Sequence, residues 1–319
     1  MAKPILLITR RLPPEVEARA ERDYDVRVNN GDTAQTALPM LGEAADAILC
    51  SPGDKLDAAA IAALPARVRA IGTFSVGFDH IDVAAATARG IAVVNTPDVL
   101  SVTTAETALM LMLMAARRAV EGEDLVRSGG WTGWAPTQLL GQGVVGRRLG
   151  IFGMGRIGRE FAKLALGLGM EVHYRDIAKL PPALEMGCIY HDNDDSFLPI
   201  CDLLSLNAPG GESTRHWLNA ERIAKLPRGV VVVNAARGTM VDDAALIAAL
   251  KSGQVAAAGL DVYNGEPAVD PGYIALKNTV LLPHLGSATV ETRNNMGTLV
   301  LNGLDAVLAG QDPPNRVRA

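Results

Sequence analysis

A chain of 319 residues is longer than one ordinary domain and points to two, and 49% hydrophobic residues supply a sizeable core. A formal charge of −5, with lysines and arginines dispersed, argues against nucleic acid or an anionic membrane as a partner. Cys50, Cys188 and Cys201 are too few for a disulfide framework and are not in metal-ligand spacing, so the expectation is a cytoplasmic chain with no structural metal.

The first apolar run, residues 5–8, stops at Arg10-Arg11, which is not the pattern of a signal peptide. Residues 5–9 read as a strand and residues 14–22 as a helix opened by prolines. Further strands are expected at 24–28, 47–50, 68–73 and 91–95, separated by helical patterns such as 56–64 and 82–89. This alternation predicts a small parallel α/β layer. Residues 104–127 read as one helix. Its stretch Ala108-Leu109-Met110-Leu111-Met112-Leu113-Met114 is apolar on every side, which predicts burial near a domain boundary. The methionines fit continuous packing better than an adaptable or metal-binding surface. The run 108–116 is far too short to span a bilayer.

The segment Leu149-Gly150-Ile151-Phe152-Gly153-Met154-Gly155-Arg156-Ile157-Gly158 then reads as strand, tight turn and helix. Gly153 allows the turn, Gly155 lets a pyrophosphate approach the backbone, and Gly158 permits close helix–strand packing. The second strand of this unit, residues 170–174, runs into Asp176, eighteen positions past Gly158. That is where such a unit places the acid that holds the adenosine ribose hydroxyls, so the pattern predicts a dinucleotide site. Strands recur at 203–206, 230–234, 254–260 and 279–282. Residues 288–308 read as a final helix with Ser287 or Thr289 at its cap.

Ligands of open α/β sheets bind outside the carboxyl ends of the strands. Three successive strands end in Ala235-Ala236-Arg237-Gly238, in Asp261 followed by Tyr263-Asn264-Gly265-Glu266-Pro267, and in Pro283-His284. An arginine, carboxylates and a histidine thus share one edge. Taken singly, Arg237 is equally a structural ion-pair residue, Glu266 a solvated turn carboxylate and His284 a hydrogen-bonded structural histidine; their shared placement favours chemistry. Ser75-Val76-Gly77, after the strand at 68–73, offers backbone N–H groups for an anion. His80 reads as a helix-start residue, and His173, His191 and His216 as surface or packing residues.

These motifs, with Ser75-Val76-Gly77-Phe78-Asp79, Asn95-Thr96-Pro97, Gly129-Gly130-Trp131-Thr132-Gly133-Trp134 and Leu282-Pro283-His284-Leu285-Gly286-Ser287, appear in an order that resembles the D-2-hydroxyacid dehydrogenases of the glyoxylate/hydroxypyruvate reductase type. The resemblance covers nearly the whole chain. It implies a Rossmann dinucleotide-binding domain, residues 99–286, inserted in a smaller flavodoxin-like α/β substrate domain, residues 1–98 and 287–319, with the active site in the cleft. It also implies the parts played by the residues. His284 protonates the substrate carbonyl and Glu266 orients the imidazole and favours its charged form. Arg237 polarises the carbonyl and holds the carboxylate, with Val76 and Gly77 binding that carboxylate through their amides. Asp261 contacts the nicotinamide carboxamide, and Thr104, Ala235, Gly286 and His284 reach the cofactor. The backbone at Arg156 and Ile157 cradles the pyrophosphate.

Asp176 repels a 2′-phosphate, so NAD(H) is expected ahead of NADP(H), although Arg175 and Lys179 beside it leave room for both. In related reductases a tryptophan matching Trp134 reaches across a homodimer interface and trims the partner's pocket toward small keto acids. The loop Ser51-Pro52-Gly53-Asp54-Lys55 is more polar than the resemblance leads one to expect. Other readings are a D-lactate or phosphoglycerate type of the same family, or a non-enzymatic NADH-sensing protein on the same fold. A phosphoglycerate enzyme often carries a C-terminal regulatory extension. A formate dehydrogenase has Gln where Glu266 stands.

Overall fold

The computed structural model describes residues 2–28 and 45–318. It divides into two compact units, Met1–Leu100 with Ser287–Ala319, and Ser101–Gly286. In the first, β1 (Ile5–Ile8), α1 (Pro14–Asp23), β2 (Asp25–Val28), β3 (Ala47–Cys50), α2 (Ala58–Ala63), β4 (Ala70–Thr73), α3 (Val83–Ala88) and β5 (Ala92–Val94) follow one another. The five strands are parallel in the order β2-β1-β3-β4-β5, the flavodoxin-like arrangement.

In the second unit, α4 (Ser101–Ala116) and α5 (Ala119–Arg127) precede β6 (Arg148–Phe152), α6 (Arg156–Gly167) and β7 (Glu171–Arg175). Then come α7 (Pro182–Glu185), β8 (Ile189–His191), α8 (Asp194–Phe197), β9 (Leu203–Leu206), α9 (Ala220–Lys225), β10 (Val230–Asn234), α10 (Asp243–Ser252), β11 (Val255–Leu260), α11 (Pro271–Ile274) and β12 (Thr279–Leu281). The seven strands, all parallel, run β12-β11-β10-β9-β6-β7-β8. Order reverses between β6 and β9, the switch point at which a Rossmann sheet takes its dinucleotide. The chain then returns to the first unit as α12 (Val290–Leu308), capped by the Thr289 side chain.

Parallel strands covered on both faces need apolar side chains at every position, and their alternation decides which core each one enters. In β10, Val231 and Val233 join a core with Leu111 and Met112 of α4 and Phe161 of α6. Val230 and Val232 join the opposite core with Leu246 and Leu250 of α10. In the first unit, Leu7, Ile48 and Ile71 pack with Ile61 and Ala86 of α2 and α3. Leu6, Ile8 and Leu49 pack with Val16 of α1 and with Val300, Leu301 and Leu304 of α12. Each fully buried aliphatic side chain contributes about 1.5–3 kcal/mol, so both sheets are held mainly by helix–sheet burial.

Two expectations are corrected. The single helix over 104–127 is two, broken where Arg118 takes a left-handed φ of 54°. Nor is it buried all round: Ala105, Ala108, Leu111, Met112 and Ala115 are buried, whereas Met110 is exposed. The short edge strand β8 has no strong apolar signal, and the sequence reading omitted it. Among the described residues, no helix is long and apolar enough to cross a membrane. All three cysteines are free and buried.

Candidate active site

The glycine turn follows β6. Gly153 has φ +94°, and a Cβ there would lie 2.4 Å from the Ala208 amide nitrogen beyond β9. A Cβ on Gly158 would lie 2.2 Å from the Gly153 carbonyl oxygen, so this glycine sets how closely α6 meets the turn. Gly155 differs, because a Cβ there would meet nothing within 4 Å. It caps α6, whose first residues are Arg156 and Ile157. N–H groups of a first helical turn point out of the helix, and this open approach fits a pyrophosphate. Asp176, just past β7, accepts the Met154 amide at 2.6 Å and the Ile177 amide at 2.6 Å. The acid is thereby tied to the glycine turn, while a carboxylate still keeps lone pairs for ribose hydroxyls.

On the other side of the switch point, β10, β11 and β12 end at the same edge. Asn234, fully buried, organises the turn after β10: its Nδ2 donates to the Arg237 carbonyl at 2.9 Å, and its Oδ1 accepts the Ala236 amide at 3.0 Å. Arg237 Nη1 donates to the Ala236 carbonyl at 2.8 Å. A Cβ on Gly238 would fall 1.9 Å from the Tyr263 carbonyl carbon, so only glycine lets the Arg237 turn lie against the loop that carries Glu266.

Glu266 and His284 meet in that arrangement, with His284 Nδ1 2.8 Å from Glu266 Oε2. Glu266 Oε1 accepts the Tyr263 amide at 2.9 Å. Burial alone would raise the Glu266 carboxyl; the His284 hydrogen bond and charge, the Tyr263 amide and the nearby Arg237 outweigh it, and the net shift is downward. An ionised carboxylate only accepts, so His284 Nδ1 carries a proton, leaving Nε2 as the ring nitrogen for chemistry. Side-chain exposures of 45% for His284 and 33% for Glu266 leave the pair reachable.

Asp261 holds the histidine's loop. Its carboxylate accepts the Leu285 amide at 2.6 Å and the Gly286 amide at 2.8 Å, and its carbonyl accepts the His284 amide at 2.9 Å. His284 itself sits at φ 56°, a left-handed conformation that these bonds impose. Burial raises the Asp261 carboxyl, an effect that the Leu285 and Gly286 amides and the His284 charge only partly offset. Buried Thr104 reaches the same place: a Cβ on Gly286 would lie 3.3 Å from both Asp261 Oδ2 and Thr104 Cγ2. Ala235 is buried at the end of β10.

Of the expected residues, Thr104, Trp134, the glycine turn, Asp176, Ala235, Arg237, Asp261, Glu266, His284 and Gly286 all belong to the second unit, and Val76 and Gly77 to the first. Trp134 is 81% exposed on the segment between α5 and β6. The sequence reading missed Asn234 and Tyr263 as organisers. Asn234 carried a signal, a polar residue closing the run Val230-Val231-Val232-Val233, whereas Tyr263 carried none, because its hydroxyl bond to the Leu282 carbonyl at 2.9 Å exists only in the fold. His80 is corrected: it does not start a helix, because Asp82 caps α3 and the His80 ring turns to Thr73.

Residues 109–286 match the family model described as "D-isomer specific 2-hydroxyacid dehydrogenase, NAD binding domain". The chain is 41% identical over 316 residues to a glycerate dehydrogenase of Hyphomicrobium methylovorum, covering 98% of each. It is 39% identical over 322 residues to a glyoxylate reductase of Thermococcus litoralis, covering 99% of this chain and 97% of the other. A solved structure from Polaromonas sp. JS6 66, described as a D-isomer specific 2-hydroxyacid dehydrogenase, superposes with a TM-score of 0.94 at 46% identity over the full length of both. The chain therefore belongs to the D-isomer specific 2-hydroxyacid dehydrogenases, nicotinamide-dependent oxidoreductases that act on small 2-keto and 2-hydroxy acids.

Proposed function

We propose that the protein reduces glyoxylate or hydroxypyruvate to the D-2-hydroxy acid, with NADH as the preferred coenzyme. The observation that carries this reading is the Glu266–His284 pair at 2.8 Å, near enough to Arg237 for its charge to lower the Glu266 carboxyl. A bound dihydronicotinamide would supply the hydride to the carbonyl carbon, which no protein side chain can. His284 gives the proton to the carbonyl oxygen. Arg237 neutralises the charge that grows there and grips the carboxylate, a task suited to its planar fork. The amides of Val76 and Gly77 bind the same carboxylate. Residues 1–98 and 287–319 serve the substrate, and residues 99–286 serve the cofactor. The names of the glycerate dehydrogenase and glyoxylate reductase relatives support a keto acid of two or three carbons. The test is a panel of 2-keto acids assayed with NADH and NADPH. Glyoxylate and hydroxypyruvate should give the highest kcat/KM, and hydroxypyruvate should yield the D product. NADH binding without turnover of any keto acid would point instead to a binding protein on this fold.

Coenzyme preference rests on Asp176 and its neighbours. Arg175 is engaged by the Asp176 carbonyl and, at 3.7 Å, by Asp194; Lys179 Nζ lies 3.7 Å from Glu185. Neither cation is set aside for a 2′-phosphate, and Asp176 repels one. Hydrogen bonds to a charged group contribute about 1.5–3 kcal/mol, so Asp176→Ser should weaken NADH by roughly 10- to 100-fold while NADPH changes little or improves. A wild type that strongly prefers NADPH would remove this role from Asp176.

The second unit also exposes Val102, Met110, Val120, Val126, Trp131, Trp134, Leu140 and Val145. A depression of about 370 Å³ lined by Met114, Val120, Leu140 and Gln142 opens by the amino ends of β10–β12, away from the catalytic edge. So much apolar surface on α4, α5 and the following segment supports a homodimer. Trp134→Ala should weaken the dimer in sedimentation velocity and relax discrimination against bulkier keto acids. A fully active monomer with unaltered specificity in the variant would rule this out.

A further inference from the structure

The segment after β4 is tied to its own unit through three consecutive carbonyls. The Ser75 carbonyl accepts the Thr96 amide at 2.9 Å, the Val76 carbonyl accepts Asn95 Nδ2 at 2.8 Å, and the Gly77 carbonyl accepts the Ser75 hydroxyl at 2.6 Å. In a trans peptide the N–H points opposite to the C=O. Anchoring the Ser75 and Val76 carbonyls therefore turns the Val76 and Gly77 N–H groups away from their anchors. Neither N–H has an acceptor among the described residues.

Behind Ser75 runs a chain of hydrogen bonds whose direction follows from counting protons. Ser75 Oγ has one proton and gives it to Gly77. In its 2.7 Å contact with Thr73 Oγ1, Thr73 must then be the donor. That uses the only proton on Thr73, so in the 3.0 Å contact with His80 Nε2 the imidazole must donate. The order is His80 Nε2–H to Thr73, Thr73 to Ser75, and Ser75 to the Gly77 carbonyl. Thr73 is fully buried and Ser75 nearly so, where each bond polarises the next and an unpaired member is costly. The Cys50 thiol, 4.0 Å from His80 Nε2, adds no charge, because burial pushes its pKa up to about 12.

We infer that Ser75, backed by Thr73 and His80, is a positioning residue that presents the Val76 and Gly77 amides to the substrate carboxylate. This rests on the carboxylate-binding role proposed above for those amides. The Ser75 hydroxyl acts on the donors through the next peptide, because it holds the Gly77 carbonyl. Glycine crosses between backbone conformations with little penalty, so a Gly77 released on that side lets the turn open and the two donor peptides drift from the aim that Thr96 and Asn95 set. Pre-organised donors bind more tightly than donors that must first be ordered. The loss therefore falls on keto acid affinity and spares the dinucleotide.

Steady-state kinetics on the full-length protein test this with glyoxylate and NADH, and with oxalate as a competitive carboxylate probe. Ser75→Ala should raise the glyoxylate KM and the oxalate inhibition constant by roughly tenfold, one hydrogen bond's worth, with the NADH KM within about twofold. Ser75→Thr, which keeps a hydroxyl, should recover most of the loss. His80→Gln, whose side-chain amide can still donate to Thr73, should stay close to wild type, whereas His80→Phe should follow Ser75→Ala. A well-folded Ser75→Ala with unchanged glyoxylate KM, beside an Arg237→Lys that has lost activity, would overturn the positioning role and leave the enzyme reading intact. If Ser75→Ala does not fold, the two His80 variants decide, and equal KM values for them overturn the inference. A wild type that reduces no 2-keto acid would bring down the underlying reading and this inference with it.

Discussion

Arg237→Lys is expected to lower kcat/KM for glyoxylate by about 10²-fold or more, the usual cost of losing a donor aimed at a developing oxyanion. The substitution keeps the charge, so the loss measures geometry. Arg237 stands on a turn fixed by Asn234 and pressed through Gly238 against the Tyr263 backbone. That turn aims a planar group able to meet a carboxylate and a carbonyl together, whereas an ammonium is a single point. Negative charge on the carbonyl oxygen grows toward the transition state, so kcat should fall as well as KM rise. NADH binding, followed by fluorescence, and the melting temperature should change little. A variant with near wild-type kcat/KM would assign Arg237 to structure alone.

The cofactor half was legible because its signals are local. The spacing from Gly153 to Gly158, the apolar run of β10 and an acid just past β7 each sit within a few residues of the feature they predict. The strand ends carrying Arg237, Asp261, Glu266 and His284 were also readable, since a parallel sheet sends every strand's carboxyl end to one edge. Features set by tertiary contacts were not readable. The break at Arg118 interrupts a stretch whose composition suits one long helix, and β8 is a three-residue edge strand with a half-exposed pattern. His80 looked like a helix-start residue because its partner, Thr73, is on the preceding strand and no periodicity links the two. Asn234 stood in plain view at the end of its strand, yet its role depends on bonds to Ala236 and Arg237 that appear only once the turn closes.

His284→Ala should remove about 10²–10⁴ of kcat/KM in both directions, the usual share of a general acid–base, while NADH affinity stays near wild type. Because His284 holds a φ of 56°, His284→Asn is the better-tolerated companion: asparagine accepts that conformation, so an equal loss in both variants assigns the effect to the imidazole. Glu266→Gln asks a different question. It preserves shape and a hydrogen-bond acceptor 2.8 Å from Nδ1 but removes the negative charge. In the proposed mechanism, reduction draws its proton from imidazolium and oxidation uses neutral imidazole as the base. The His284 hydrogen bond and charge help to lower the Glu266 carboxyl, and such a coupling is reciprocal, so removing the charge should shift the decline of reductive kcat/KM to lower pH. Oxidative activity should persist to correspondingly lower pH, since the neutral base survives there. In the wild type, the Glu266 carboxyl is itself held below its ordinary range by His284 and its other partners, so it remains charged through the mildly acidic region in which the histidine is being compared. Both profiles must therefore move together and in the same direction. If both stayed where they are in the wild type, Glu266 would merely support the loop through the Tyr263 amide, and the charge coupling between the two residues would be rejected.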